Sequence, residues 1–284
     1  MSDSPSQAPA NIVIPIYRTA LTDDERIALE RCFSVLKSYP ITFVSPESLD
    51  LTPVTDLFPT ARVERFDPAF FAGRDGYNHL MLSAEFYERF LAWDYILLCQ
   101  TDAFVFRDEL ADWCARGYDY IGAPWPLRPI YSNPLYKIGS RLKSFLLRKD
   151  HEQRHIVRNK VGNQVPRIDD RKPVFVSSDL RRNRTINKLL KNNPERVAYY
   201  KERVGLCSRY YEDVFYAVEA PALNHAFRIP AVQEALGFSF DTYPHLCFRM
   251  SGGKLPFGCH GYHRRRRWKF WEPYIEEALN ASKA

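Results

Sequence analysis

The chain has 284 residues, 45% of them hydrophobic, and a formal net charge of +6. That apolar content excludes a disordered chain and supports a sizeable core. A charge so small and dispersed excludes a case for nucleic acid from composition alone, while it suits an anionic ligand or an acidic membrane surface. No stretch approaches the roughly 20 apolar residues of a membrane helix. Met1–Ala10 is rich in Ser, Pro and Ala and lacks the basic start and apolar segment of a signal peptide, so it is expected to be disordered. None of the 6 cysteines has C-x-x-C spacing, which gives no zinc knuckle or redox pair. A reducing, cytoplasmic setting is therefore expected.

In chain order, Asn11–Tyr17 reads as a buried strand. Thr22 and Glu25 have capping-box spacing ahead of apolar positions from Ile27 to Leu36 that recur at helical period. Ile41–Val44 and Ala61–Phe66 are further strands. A helix with Leu80, Ala84, Tyr87 and Leu91 on one face leads into Tyr95–Cys99, an unalternated apolar run of the kind buried on both sides of a parallel sheet. Asp102 follows that run, where open α/β sheets bind ligands, although a turn carboxylate would sit there too. A second apolar run, Ala103–Phe106, comes at once. Asp108–Cys114 reads as a short helix and Tyr118–Trp125 as a strand. Between Leu127 and Arg158 basic and apolar residues alternate as in an amphipathic helix, a candidate acceptor-side or peripheral membrane element. Ile186–Tyr200 is helical in pattern, and Phe238–Phe240 and Leu246–Phe248 are late strands. The order of elements predicts an α/β domain over 11–275 with a mainly parallel or mixed sheet flanked by helices, and a tail at 276–284.

Polar residues stand out against these flanks at Asp102, at Glu212-Asp213 and at His260. A carboxylate and an imidazole suit Mn2+ better than Ca2+, and an acidic pair can supply a general base. Arg264–Arg267 has the pattern of a solvated basic face, with phosphate contact as the alternative. Trp268, Phe270 and Trp271 read as core.

The chain resembles the DUF5672 family, whose fold is predicted to be that of the A-type (GT-A) glycosyltransferases. The resemblance lies in Gly76-Tyr77-Asn78-His79, Gln100-Thr101-Asp102-Ala103-Phe104, Gly117–Trp125, Glu212-Asp213-Val214-Phe215 and Pro256-Phe257-Gly258-Cys259-His260-Gly261. It implies a single GT-A-like domain that moves a sugar from a nucleotide-sugar donor to a hydroxyl of a saccharide or glycolipid acceptor, with inversion favoured. It also implies a divalent metal, Mn2+ or Mg2+, held by Asp102 and His260. Gln100 stands where the Asp-x-Asp motif of such enzymes has its first acid. By the same resemblance Asp213 is the base, Glu212 orients the acceptor, and Gln100 and Asp102 face the nucleotide; from their positions alone Arg18 and Asn78 are expected to contact it too. The family's Val-Gly-Asn-Gly-Gly-Phe-Ser-Leu-Arg strand departs after Val161-Gly162-Asn163, and residues 164–185 read as an alien or frameshifted stretch that would impair donor binding. Two other readings follow from these features. One is a catalytically impaired nucleotide-sugar-binding relative, and the other is a basic polyanion- or membrane-surface-binding protein.

Overall fold

The structure, a computed structural model, describes residues 8–125, 175–206 and 210–281, with the side chains of 175–178 excepted. Strand β1 (Ala10–Pro15) is buried along its whole length, as an unalternated apolar run requires. It lies between β2 (Ile41–Pro46) and β4 (Tyr95–Leu98), parallel to both, and β3 (Arg62–Phe66) extends the sheet beyond β2. The edge strand β3 carries exposed charges, which disfavour pairing with another chain. On the other side of β4 come β7 (Phe175–Arg182) and β6 (Tyr120–Pro124), giving the order β3-β2-β1-β4-β7-β6. β7 is antiparallel to both neighbours, so the sheet is mixed. The chain leaves β1 in one direction towards β3 and returns to the other side at β4, which makes the β1–β4 boundary the topological switch point.

A smaller sheet, β5-β9-β8, is built from Ala103–Val105, Gly258–His260 and Ser239–Phe240. Its core is Phe104, Phe240 and Cys259 packed against Trp271 and Phe270 of the last helix, Arg265–Ala281, which confirms those aromatics as core. That helix runs through Ile275, so the expected boundary at 275/276 falls inside it; Ala10 likewise already belongs to β1.

Local sequence rules account for much of this. Helix α1 (Asp23–Val35) has the full capping box of Thr22 and Glu25, and a single-turn helix α2 (Thr52–Thr55) follows β2. The single helix expected over residues 80–91 is two, α3 (Gly73–Met81) and α4 (Ala84–Glu88). The chain turns at Met81 because its carbonyl accepts the hydroxyls of Tyr87 and Tyr216. The segment Ile186–Tyr200 is also split, by Pro194. The basic segment 127–158 lies outside the described residues. No described helix is long and apolar enough to cross a membrane.

Gly76 sits in α3 against the 3-10 turn Pro68–Phe71, and a Cβ there would lie 2.4 Å from the Ala69 carbonyl oxygen. Backbone on both sides leaves nothing to give way. Helix propensity alone would make Gly76→Ala stabilising by about 0.5–1 kcal/mol. Steric overlap is expected to reverse the sign, to a loss of about 1–3 kcal/mol in urea denaturation. A stabilised variant would show that α3 is not held against the turn.

Candidate functional site

A cleft of about 610 Å³ opens at the switch point. One wall is the chain leaving β1, with Tyr17 and Arg18. The floor is the turn Gln100–Asp102 after β4. The far wall is the 3-10 turn and α3, with Phe70, Arg74 and Tyr77, and the end of β9 adds His260, His263 and Arg264.

Strand register brings the central groups together. β5 and β9 pair antiparallel with Ala103 opposite His260, so His260 lies beside Asp102, and the Gly261 N–H donates to the Asp102 carbonyl at 2.9 Å. β8 and β9 pair parallel with Phe240 opposite Cys259, which sets Asp241 beside His260 as well. His260 Nε2 is 2.9 Å from Asp102 Oδ1 and 2.8 Å from Gln100 Oε1, and its Nδ1 is 3.0 Å from Asp241 Oδ1. Burial alone would favour the neutral ring. The hydrogen bonds and charges of Asp102 and Asp241 outweigh it and push the imidazole up to about 9. Burial likewise opposes ionisation of the two carboxyls, yet contact with His260 holds Asp102 below the usual range and Asp241 well below it. Arg267 donates to Asp241 at 2.7 Å and the Trp125 indole at 2.9 Å. Asp241 was not expected from sequence. Its signal was the one that found Asp102, an acid at the end of a short apolar strand.

The tetrad Arg264–Arg267 is not one solvated face. Arg267 is packed against Asp241 and the His260 carbonyl, Arg264 borders the cleft 4.0 Å from Asp102, and Arg265 and Arg266 are exposed. Arg18 is also at the cleft, paired through Nη2 with both oxygens of Glu25 at 2.7 and 2.6 Å. Glu25 accepts in addition from Thr22 N and from Thr101 Oγ1, so the residue that caps α1 ties the β1 loop to the Asp102 turn.

Glu212 and Asp213 stand apart from this group and are not among the residues that border the cleft. Glu212 Oε2 takes a hydrogen bond from Arg181 at 2.7 Å. Arg181 is wholly buried, forks onto Asp179 at 2.6 and 2.8 Å, donates to the Tyr87 hydroxyl and lies over the Tyr216 ring at 4.9 Å. Burial raises the Glu212 carboxyl to about 7 against the pull of Arg181, and burial with the Glu212 charge raises Asp213 further above its usual range. Tyr77 joins the two groups: it borders the cleft, hydrogen-bonds Gln100 and feels the Glu212 charge, and burial raises its hydroxyl. Asn78 differs from expectation. Its amide donates to the Arg74 carbonyl at 2.8 Å and accepts from Glu212 N at 2.7 Å, so both ends are used in positioning the acid pair.

Arg181 and Asp179 fall in the stretch that read as alien. Residues 175–182 are the strand β7 at the heart of the sheet, and the charges that broke the apolar pattern are the buried cluster itself. Residues 164–174 lie outside the described residues.

The sequence matches the family described as "Protein of unknown function (DUF5672)" over residues 60–173 and 175–260, more than half of the chain and most of the stretch that read as alien. The chain belongs to the DUF5672 family. No curated protein matches it in sequence. In structure this DUF5672 chain is similar to an active-site mutant of LgtC, at 15% identity over 95% of each chain with a TM-score of 0.52. It also matches mouse xyloside xylosyltransferase 1 in its apo form, at 12% identity over 89% of this chain and 98% of that one, TM-score 0.48. A match to S. aureus TarS, at 12% identity, spans 43% of this chain and 37% of that one, TM-score 0.31. The fold is GT-A.

Two outcomes check this geometry. The raised His260 value means that its contribution to stability is complete below pH 6.5, the ordinary value of an imidazole, and is lost as pH rises through about 9. That loss amounts to about 3 kcal/mol, and urea denaturation of His260→Gln is expected to be flat over the same range. Asp179→Ala leaves Arg181 buried with less countercharge and is expected to cost about 3–5 kcal/mol. A cost below about 1 kcal/mol would mean the cluster is wetter than it looks.

Proposed function

We propose that this DUF5672 chain is a glycosyltransferase that binds a nucleotide-sugar donor in the switch-point cleft with the help of a divalent metal, Mn2+ or Mg2+. The observation that carries the reading is the meeting of Asp102, Gln100 and His260 at that cleft in a GT-A fold. The donor set fits such an ion: a carboxylate oxygen of Asp102 and the amide oxygen of Gln100 each lie within 3.0 Å of the imidazole nitrogen His260 Nε2. Asp241 orients the ring from its other nitrogen, as carboxylates behind metal-binding histidines do. Among the described residues no three His, Cys, Asp or Glu side chains converge on one point, so Asp102 and His260 would hold the ion only together with donor phosphates and water. When bound, the cation would neutralise the diphosphate as it departs with the pair of electrons from the broken bond.

The remaining roles belong to the chain. Arg18, fixed by Glu25, faces the nucleotide together with Gln100 and Asp102. Asp213 takes the acceptor hydroxyl's proton, its affinity for protons raised by burial and by the Glu212 charge. Glu212, held by Arg181 and Asn78, fixes the acceptor side. With Asp213 as a candidate base, the transfer is read as inverting. The five described cysteines are unpaired and buried, in keeping with a reducing cytoplasmic setting.

Gln100 favours a second reading, an impaired relative that binds nucleotide sugars without transferring them, because an amide in place of an acid leaves the metal one charge short. Metal-dependent hydrolysis of a nucleotide sugar, lost in Asp102→Asn, separates an enzyme from such a binder.

The first test is a thermal-shift screen of nucleoside diphosphates and their sugars with and without Mn2+. Ligand at 100 times its Kd stabilises by about 2.7 kcal/mol, and the Mn2+-dependent part is expected to vanish in Asp102→Asn. Because the metal replaces a proton on His260, calorimetry at pH 7.5 in buffers of different ionisation enthalpy is expected to show release of about one proton. Stabilisation by no nucleotide would remove the donor reading.

A further inference from the structure

The cleft has a cationic wall that these donor contacts leave unused. Arg74 lies on α3 one turn before Tyr77, so the two share a face, and both border the cleft beside Phe70 and Phe71. Arg74 Nη1 donates to the Tyr211 hydroxyl at 3.0 Å, and the guanidinium lies 5.6 Å over the Tyr211 ring. Tyr211 directly precedes Glu212-Asp213, and Asn78, one turn after Arg74, holds the Glu212 N–H. Helix α3 is thus laced to the acid pair at two points. The partner of Arg74 is a neutral phenol, and among the described residues it makes no ion pair, unlike Arg18, Arg181 and Arg267. A guanidinium has five N–H donors in a rigid fork that matches a carboxylate or phosphate. The phenol takes one of them.

We propose that Arg74 and Tyr211 form an acceptor subsite for an acidic saccharide, one that bears a carboxylate or a phosphate, with its sugar ring against Phe70 and Phe71. This rests on the reading of the cleft as a glycosyltransferase site. The fork seats the acid group, the phenyl rings take the C–H face of the sugar, and a hydroxyl of the same sugar is presented next to Glu212-Asp213. In the transfer, the acceptor oxygen bonds to the anomeric carbon of the donor sugar while the bond from that carbon to the phosphate oxygen breaks. The electron pair leaves with the nucleoside diphosphate, and the acceptor proton passes to Asp213. A neutral acceptor would leave the fork's other donors to water, so the subsite favours charge.

The experiment is calorimetric titration of the whole chain with glucuronate, glucose 6-phosphate and glucose, each with and without UDP and Mn2+. At least one acidic sugar is expected to bind tenfold or more tighter than glucose, and the two acidic arms tell carboxylate from phosphate. Arg74→Gln is expected to weaken that sugar tenfold or more and leave the UDP affinity within twofold. Arg74→Lys, which keeps the charge without the fork, falls between. Circular dichroism melts of both variants verify folding, and Tyr211→Phe provides a second, milder perturbation expected to weaken the acid arm severalfold. Displacement of the acidic sugar by UDP, an Arg74→Gln variant that binds it unchanged, or equal binding of acidic and neutral sugars would each overturn the proposal. Failure of UDP and every other nucleotide to bind speaks against the donor reading alone, because the Arg74 comparison needs no donor.

Discussion

The site depends on one imidazole held between two carboxylates. His260 has Asp102 and Gln100 at one nitrogen and Asp241 at the other, and each contact comes from a different strand end. Nothing local to His260 produces this. It follows from two registers in a three-stranded sheet, Ala103 opposite His260 and Phe240 opposite Cys259. A slip of one residue in either pairing would turn a carboxylate to the opposite face and leave the imidazole buried without its counterion. The small sheet, fixed on the Trp271 helix, is therefore what makes a site out of separate polar residues.

A second constraint acts below the cleft. Arg181 is buried at the centre of the large sheet with Asp179, Glu212 and three tyrosines around it. Desolvating one cation and several acids is costly, and a hydrophobic cluster of the same volume would do as well for stability. What the ionic version supplies is position: Glu212 is fixed by Arg181 at its side chain and by Asn78 at its backbone. Burial, against the pull of Arg181, lifts the proton affinity of the acid pair. Tyr77, hydrogen-bonded to Gln100 and feeling the Glu212 charge, then links this cluster to His260 although the acids do not border the cleft.

The residues differed in how well sequence exposed them. The capping box of Thr22 and Glu25 was legible because both partners lie within one helical turn, but the additional work of Glu25 on Arg18 and Thr101 was not. Asp102 was found as an acid after a buried strand. Asp241 obeys the same rule and was passed over because its strand is two residues long. β7 was misread because its pattern of charges looks like a loop unless one knows that Asp179 and Arg181 neutralise each other inside the sheet. Asn78 carries no mark in sequence of whether its amide faces ligand or backbone.

By itself the sequence determined most of the elements, the α/β class and the family, because apolar period, caps and motif order are properties of neighbouring residues. Leu246–Phe248, expected as a strand, is instead part of the helix Pro244–Met250. The sequence also singled out Asp102, His260 and Glu212-Asp213 as chemistry-bearing. Tertiary structure decided which of them meet. Asp102 and His260 join through strand pairing across more than a hundred residues, while Glu212-Asp213 joins Arg181 instead, and Arg74 gains its place through Tyr211. Contacts between residues so far apart are set by register and packing, which pattern within a stretch of chain does not encode.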